Sequence, residues 1–155
     1  GFEVEILVYD KYKATQDSFV RNVSLEELQQ LSDVISFHIP HTGETHYCCN
    51  SDFINNCIKQ PLVINTSRGA VVKTTDIIDA LERRKIRGFC VDVYEDEPIT
   101  KNKVHAPEVY QKLLSFDNVI ATPHIAGWTV ESKIKLTRIL MDKIEGLLGG
   151  LNANG

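Results

Sequence analysis

Four types of side chain able to bind charge or move a proton stand at the ends of short apolar runs in this sequence. Asp10 follows VEILVY, His38-Ile39-Pro40 closes VISFHI, and Thr66-Ser67-Arg68-Gly69 follows LVIN. Asp92, Glu95, Asp96 and Glu97 close and follow GFCVDV, and Pro123-His124 comes shortly after NVIA. A guanidinium binds a carboxylate through two parallel hydrogen bonds, an imidazole gains and loses a proton near neutral pH, and a carboxylate accepts hydrogen bonds from hydroxyls. Taken singly, each has a plainer use. An Arg before a Gly is more often a surface or capping residue, and Pro40 and Asn65 suit simple turns.

The position of these groups gains meaning from the elements that must carry them. Val- and Ile-rich runs alternating with helical patterns indicate βαβ units and a mainly parallel sheet, and such a sheet binds ligands at the carboxyl ends of its strands. Five strands are expected: Val4 to Tyr9, Val34 to Ile39, Leu62 to Asn65, Gly88 to Val93 and Asn118 to Ala121. Several are apolar at consecutive positions, as in strands covered on both faces. Ser24 and Thr75 read as N-caps of crossover helices because acidic residues follow each within a turn. A last helix is expected from about Thr129 to Leu148, stopped by Gly149 and Gly150, with 149–155 a flexible tail and 1–148 one domain. Between Pro98 and Phe116 a polar loop is expected, ending in a short helix.

The 155 residues suit a single domain, and 43% hydrophobic content is enough for a buried core. A formal net charge of -4 gives no broad basic surface for nucleic acid or anionic membrane, which leaves small molecules or other subunits as partners. No apolar run is long enough to span a bilayer and no signal-peptide pattern opens the sequence, so a cytoplasmic protein is expected. Cys48, Cys49, Cys57 and Cys90 form no CxxC pair and read as reduced thiols; His46 with the first three lacks the paired spacing of a zinc site.

Four strings, SDVISFHIPHTGETHY, LVINTSRGAVV, GFCVDVYEDEP and NVIATPHIAGWT, occur in this order within a span of agreement from about Val4 to Leu148. Together they resemble the consecutive signatures of the D-isomer-specific 2-hydroxyacid dehydrogenases. The resemblance implies an α/β fold with a Rossmann-type doubly wound parallel sheet, NAD as cofactor, a small 2-hydroxy or 2-keto acid as substrate, and a homodimer. It implies that Arg68 binds the substrate carboxylate, that His124 exchanges a proton with the carbonyl oxygen, and that Glu97 hydrogen-bonds the imidazole and favours its protonated form. Glu95 and Asp96 are expected to face solvent. On the cofactor side it implies Asp10 at the adenosine ribose, with Lys11 and Lys13 nearby softening discrimination against a 2'-phosphate. His38, Pro40, Asn65, Thr66 and Ser67 fall beside the nicotinamide, and Asp92 at its carboxamide. Outside these strings, His41, His46 and His105 read as loop histidines, and Trp128 suits either the mouth of the site or packing.

The family's GxGxxG fingerprint does not occur in these residues, so the sheet is expected to be incomplete, without its first strand and glycine-rich loop. In the 3-2-1-4-5-6 strand order that strand is central; its loss leaves two inner edges open to pairing with another chain, and the segment alone is expected not to turn over. A second reading remains open, a regulatory NAD-sensing protein on the same fold.

Overall fold

The computed structural model describes residues 3–96 and 107–152, with side chains described through residue 148. Glu97, Pro98 and His105 lie outside the described residues. The chain divides into a unit of Gly1–Thr122 and a second of Pro123–Gly155.

In the first unit, β1 (Ile6–Val8) and β2 (Val20–Asn22) pair in parallel as a two-stranded sheet. The crossover between them is stiffened by side chains. Asp10 Oδ1 accepts from the backbone N–H of Tyr12 at 2.8 Å and of Lys13 at 3.1 Å, and Asn22 exchanges two hydrogen bonds with the backbone of Thr15, each 2.9 Å. Helix α1 (Leu25–Leu31) then leads to β3 (Val34–Phe37), the first strand of a separate four-stranded sheet. That sheet continues through α2 (Ser51–Asn55), β4 (Leu62–Asn65), a single 3-10 turn (Gly69–Val71), α3 (Thr74–Glu82), β5 (Gly88–Val91), α4 (Glu108–Leu114) and β6 (Val119–Ala121). All its strands are parallel, in the order β3-β4-β5-β6. Among the described residues no strand joins the two sheets.

Because β3 to β6 advance in one direction, right-handed crossovers place α2, α3 and α4 on one face. The register row Ile35, Val63, Phe89 and Val119 and the row Phe37, Asn65, Val91 and Ala121 point to that face. With Phe53, Ile77, Ile78, Leu81, Tyr110 and Leu113 from the helices, all of these except the polar Asn65 form one apolar cluster. Val63, Ile77, Phe89 and Leu113 are almost fully buried, and each such side chain stabilises the fold by about 1.5–3 kcal/mol. On the opposite face Val34 is 53% and Ile120 66% exposed. Within this unit the described helices α2, α3 and α4 cover one side of a sheet whose fold class is the Rossmann-type doubly wound one.

Helix α1 begins as its sequence indicates. Ser24 accepts from the N–H of Glu27 at 3.1 Å while the Glu27 carboxylate accepts from the N–H of Ser24 at 3.3 Å, a complete capping box. At α3 the expectation fails by two residues, since the cap position is Lys73 rather than Thr75 and no side chain there caps the helix. Four of the five expected strands are shorter than anticipated; Leu62–Asn65 agrees at both ends. β2 and α2 have no counterpart in the sequence reading, being short and largely polar. The short helix expected before Phe116 is α4.

In the second unit, Thr129 caps α5 (Val130–Asn152), accepting from the N–H of Ser132 at 3.0 Å. Gly149 and Gly150 do not stop this helix, which continues to Asn152. Glycine costs an exposed helix only about 1 kcal/mol relative to alanine, too little to end one whose hydrogen bonds are already propagating. No helix of the described residues is long and apolar enough to cross a membrane.

Candidate active site at the carboxyl ends of the strands

The loops leaving β3 and β4 form an open cleft of about 310 Å³ lined by His38, Ile39, Pro40, Thr66, Ser67 and Arg68. Five residues singled out in the sequence, His38, Pro40, Thr66, Ser67 and Arg68, are thus brought together. Parallel pairing of Phe37 with Asn65 aligns the ends of β3 and β4, so both loops emerge at one edge. His38 Nε2 lies 2.9 Å from Ser36 Oγ, and an Arg68 terminal nitrogen donates to the Ser67 carbonyl at 2.6 Å.

Asn65 supports the cleft from below rather than lining it. Its side chain is wholly buried: Oδ1 accepts from the N–H and hydroxyl of Ser67 at 3.1 and 2.9 Å, and Nδ2 donates to the Arg68 carbonyl at 3.0 Å. The amide thereby sets the turn that presents Arg68, an Asx arrangement that residue type alone suggests. Asp92 is also buried, and its carboxylate accepts from the Thr122 hydroxyl. Asp10 is exposed after β1. His124 belongs to the second unit, with its backbone in the left-handed region at φ 55. Such conformations are uncommon outside glycine, though histidine adopts them more readily than most.

The segment after Arg68 is held by contacts that the sequence did not reveal. Glu95 does not face solvent as expected: its carboxylate accepts from the Tyr47 phenol at 2.5 Å and from the N–H of Thr74 at 2.6 Å. It thus occupies the acceptor position that α3 lacks within its own sequence. The hydrogen bond to Glu95, aided by burial and by the carboxylate's charge, pushes the Tyr47 phenol up to about 12. Tyr94 donates from its hydroxyl to the Thr122 carbonyl at 3.1 Å and meets Tyr110 edge to face. Asp96, by contrast, is exposed as expected. No local pattern marks Tyr47, Tyr94 or Thr122, because their partners lie tens of residues away.

The four cysteines are free, and burial pushes the Cys49 and Cys57 thiols up, the latter to about 11. Thiols so shifted are poor nucleophiles at neutral pH. Among the described residues no group of three or more His, Cys, Asp or Glu side chains is arranged to hold a metal ion.

Parallel strands whose ends carry an exposed carboxylate after β1, an arginine cleft after β4 and a buried carboxylate after β5 are the arrangement of a nucleotide-binding dehydrogenase type of domain. The chain belongs to the D-isomer specific 2-hydroxyacid dehydrogenases: residues 1–126 match the family's NAD binding domain. It is 33% identical to a glyoxylate reductase of Thermofilum pendens over 97% of this chain and 43% of that protein. It is 34% identical to a hydroxypyruvate reductase of Thermotoga maritima over 96% of this chain and 47% of that one. Among solved structures, D-lactate dehydrogenase of Aquifex aeolicus, complexed with NAD and lactic acid, superposes with a TM-score of 0.79 at 35% identity, covering 94% of this chain and 46% of that chain. The D-lactate dehydrogenase of Lactobacillus jensenii, solved with NAD+, gives 0.84 at 28% identity, with 94% and 46% covered. The chain spans a little under half the length of these relatives.

The donor set fits NAD on chemical grounds. Asp10 has an exposed carboxylate at a strand end, a group that would accept hydrogen bonds from ribose hydroxyls. The uncharged Pro40, Thr66 and Ser67 line the cleft at the ends of β3 and β4, and would suit a nicotinamide ring, which needs an apolar wall and a few hydrogen-bonding groups.

Proposed function

We propose that this segment, joined to a counterpart of the part of the relatives it does not cover, takes part in the reversible reduction of a small 2-keto acid to the D-2-hydroxy acid. The observation that carries the reading is the Arg68 cleft at the ends of β3 and β4. NADH, when bound, supplies the hydride that reaches the carbonyl carbon. Arg68 binds the substrate carboxylate and, by its charge, draws electron density toward the carbonyl oxygen. His124 gives that oxygen a proton, so that the hydride makes the new C–H bond and the proton completes the hydroxyl; in the reverse direction the imidazole takes the proton back. Glu97 stabilises the protonated imidazole. Asp10 holds the adenosine ribose, Asp92 orients the carboxamide, and His38, Pro40, Asn65, Thr66 and Ser67 shape the nicotinamide side. Pairing of two copies through this domain and a cytoplasmic location complete the proposal.

The test is NADH oxidation with a panel of glyoxylate, hydroxypyruvate and pyruvate, comparing wild type with Arg68→Lys. A lysine keeps the charge and loses the two-pronged geometry. We expect kcat/KM for the keto acid to fall by about tenfold to a hundredfold while the affinity for NADH holds. A wild-type protein that binds NADH but oxidises it with none of the three would favour a cofactor-sensing role instead.

A further inference from the structure

Glu95 does not line the cleft, yet it joins three pieces of chain, at Tyr47, Thr74 and Tyr110. One carboxylate oxygen accepts from the Tyr47 phenol, the other from the N–H of Thr74, and its own N–H donates to the Tyr110 hydroxyl at 3.1 Å. The peptide just before it presses on the residue after Arg68. A Cβ added to Gly69 would lie 1.9 Å from both the carbonyl carbon and oxygen of Tyr94, and 2.5 Å from the Glu95 nitrogen. On its other side the same segment is laced to the 47–49 stretch. Tyr47 N–H donates to the Ala70 carbonyl at 2.8 Å, Cys49 N–H to Val71 at 3.1 Å, and Lys73 N–H to Cys49 at 3.0 Å.

Tyr47 itself sits in the left-handed region at φ 50. A bulky residue stays there only where its surroundings over-determine it, and the bonds to Ala70 and Glu95 do so from two sides. The Glu95 side chain is therefore tied at once to the 47–49 stretch and to the start of α3, the two ends of the lacing that fixes residues 69–73.

We propose that Glu95 is a positioning residue whose carboxylate clamps Tyr47 to Thr74 and so fixes the place at which the Arg68 guanidinium meets the substrate carboxylate. The role rests on the activity proposed above. Its geometric requirement is specific. Glutamine keeps a carbonyl oxygen for the Thr74 N–H and offers an amide N–H to the phenolic oxygen, so it spans both partners. Aspartate keeps the charge but withdraws the carboxylate by one methylene and cannot hold both.

The experiment compares wild type with E95Q, E95D and E95A in two ways. Segment-resolved hydrogen–deuterium exchange follows residues 68–75, and steady-state kinetics are measured with the best keto acid of the panel in the catalytically active polypeptide. We expect E95D and E95A to speed exchange in 68–75 while β4 and β5 keep their protection. Their KM for the keto acid should rise by about tenfold or more, since small misplacements of a positioning group are costly, with KM for NADH within about twofold. E95Q should stay near wild type in both readouts. Unchanged exchange in E95A and E95D would overturn the clamp, as would faster exchange with an unchanged KM, which would make Glu95 a brace without a positioning role. If E95A does not fold, E95D against E95Q still decides the question. A wild-type enzyme inactive on every keto acid would sink the activity reading, and this role with it; a clamp failure leaves wild-type turnover intact.

Discussion

Tyr47 concentrates the residue-scale chemistry of this domain, because its backbone conformation and its phenol proton are held by the same neighbours. Bonded to Glu95, the phenol is pushed from 10.0 to about 12. The sign of the resulting pH dependence follows from which form the fold prefers. A folded-state value above the unfolded one means that the folded protein retains a proton the unfolded chain has lost, so this contribution is complete below pH 10.0 and disappears as pH rises toward about 12. Tyr47→Phe should lose about 1.5 kcal/mol at neutral pH, the scale of a hydrogen bond to a charged group, and should show a flatter decline of stability above pH 10.0. Urea unfolding at several pH values measures both; an unchanged alkaline slope would refute the assignment. Arg68 shows what residue type alone can say. Its capacity for a carboxylate was legible, whereas the Asn65 amide that orients its carbonyl became a support only once β4 and the following turn were in place.

Among the elements, α1 and α3 begin in contrasting ways. The cap of α1 is local: Ser24 and Glu27 stand three residues apart and satisfy one another, so the helix start could be read directly from the sequence. Ser24→Ala should cost about 1 kcal/mol, measured by urea unfolding with the midpoint shifted and the slope kept; no shift would mean that the box is frayed in solution. The acceptor at the start of α3 comes instead from Glu95, on the loop after β5. Thr75, the expected cap, is already one residue inside the helix. Strand ends behaved similarly. Apolar runs such as VISFHI continue past Phe37, but ladder pairing stops there because the partner β4 ends at Asn65, where the chain turns into the Arg68 loop.

For the molecule as a whole, one face of the four-stranded sheet carries the packing of the first unit, and Ile77 of α3 lies at 0% exposure within it. Ile77→Ala should destabilise the fold by about 2–5 kcal/mol, the transfer and cavity cost of a buried isoleucine; thermal or urea unfolding tests this, and a loss below about 0.5 kcal/mol, the range of a surface change, would mean that the core is loosely packed. The sequence by itself determined the class of fold, the parallel β3 to β6 succession, the Ser24 helix start and the β4 end that bears Arg68. Those features depend on hydrophobic periodicity and on interactions within a few residues, which a linear reading can detect. Only the tertiary structure decided which residues of the sheet α2, α3 and α4 pack against, that β2 pairs with β1, and that Asn65 and Glu95 serve as internal supports. Each of those depends on partners brought together by crossovers, and a hydrogen bond from Tyr47 to Glu95 leaves no mark on either residue's neighbours in the chain.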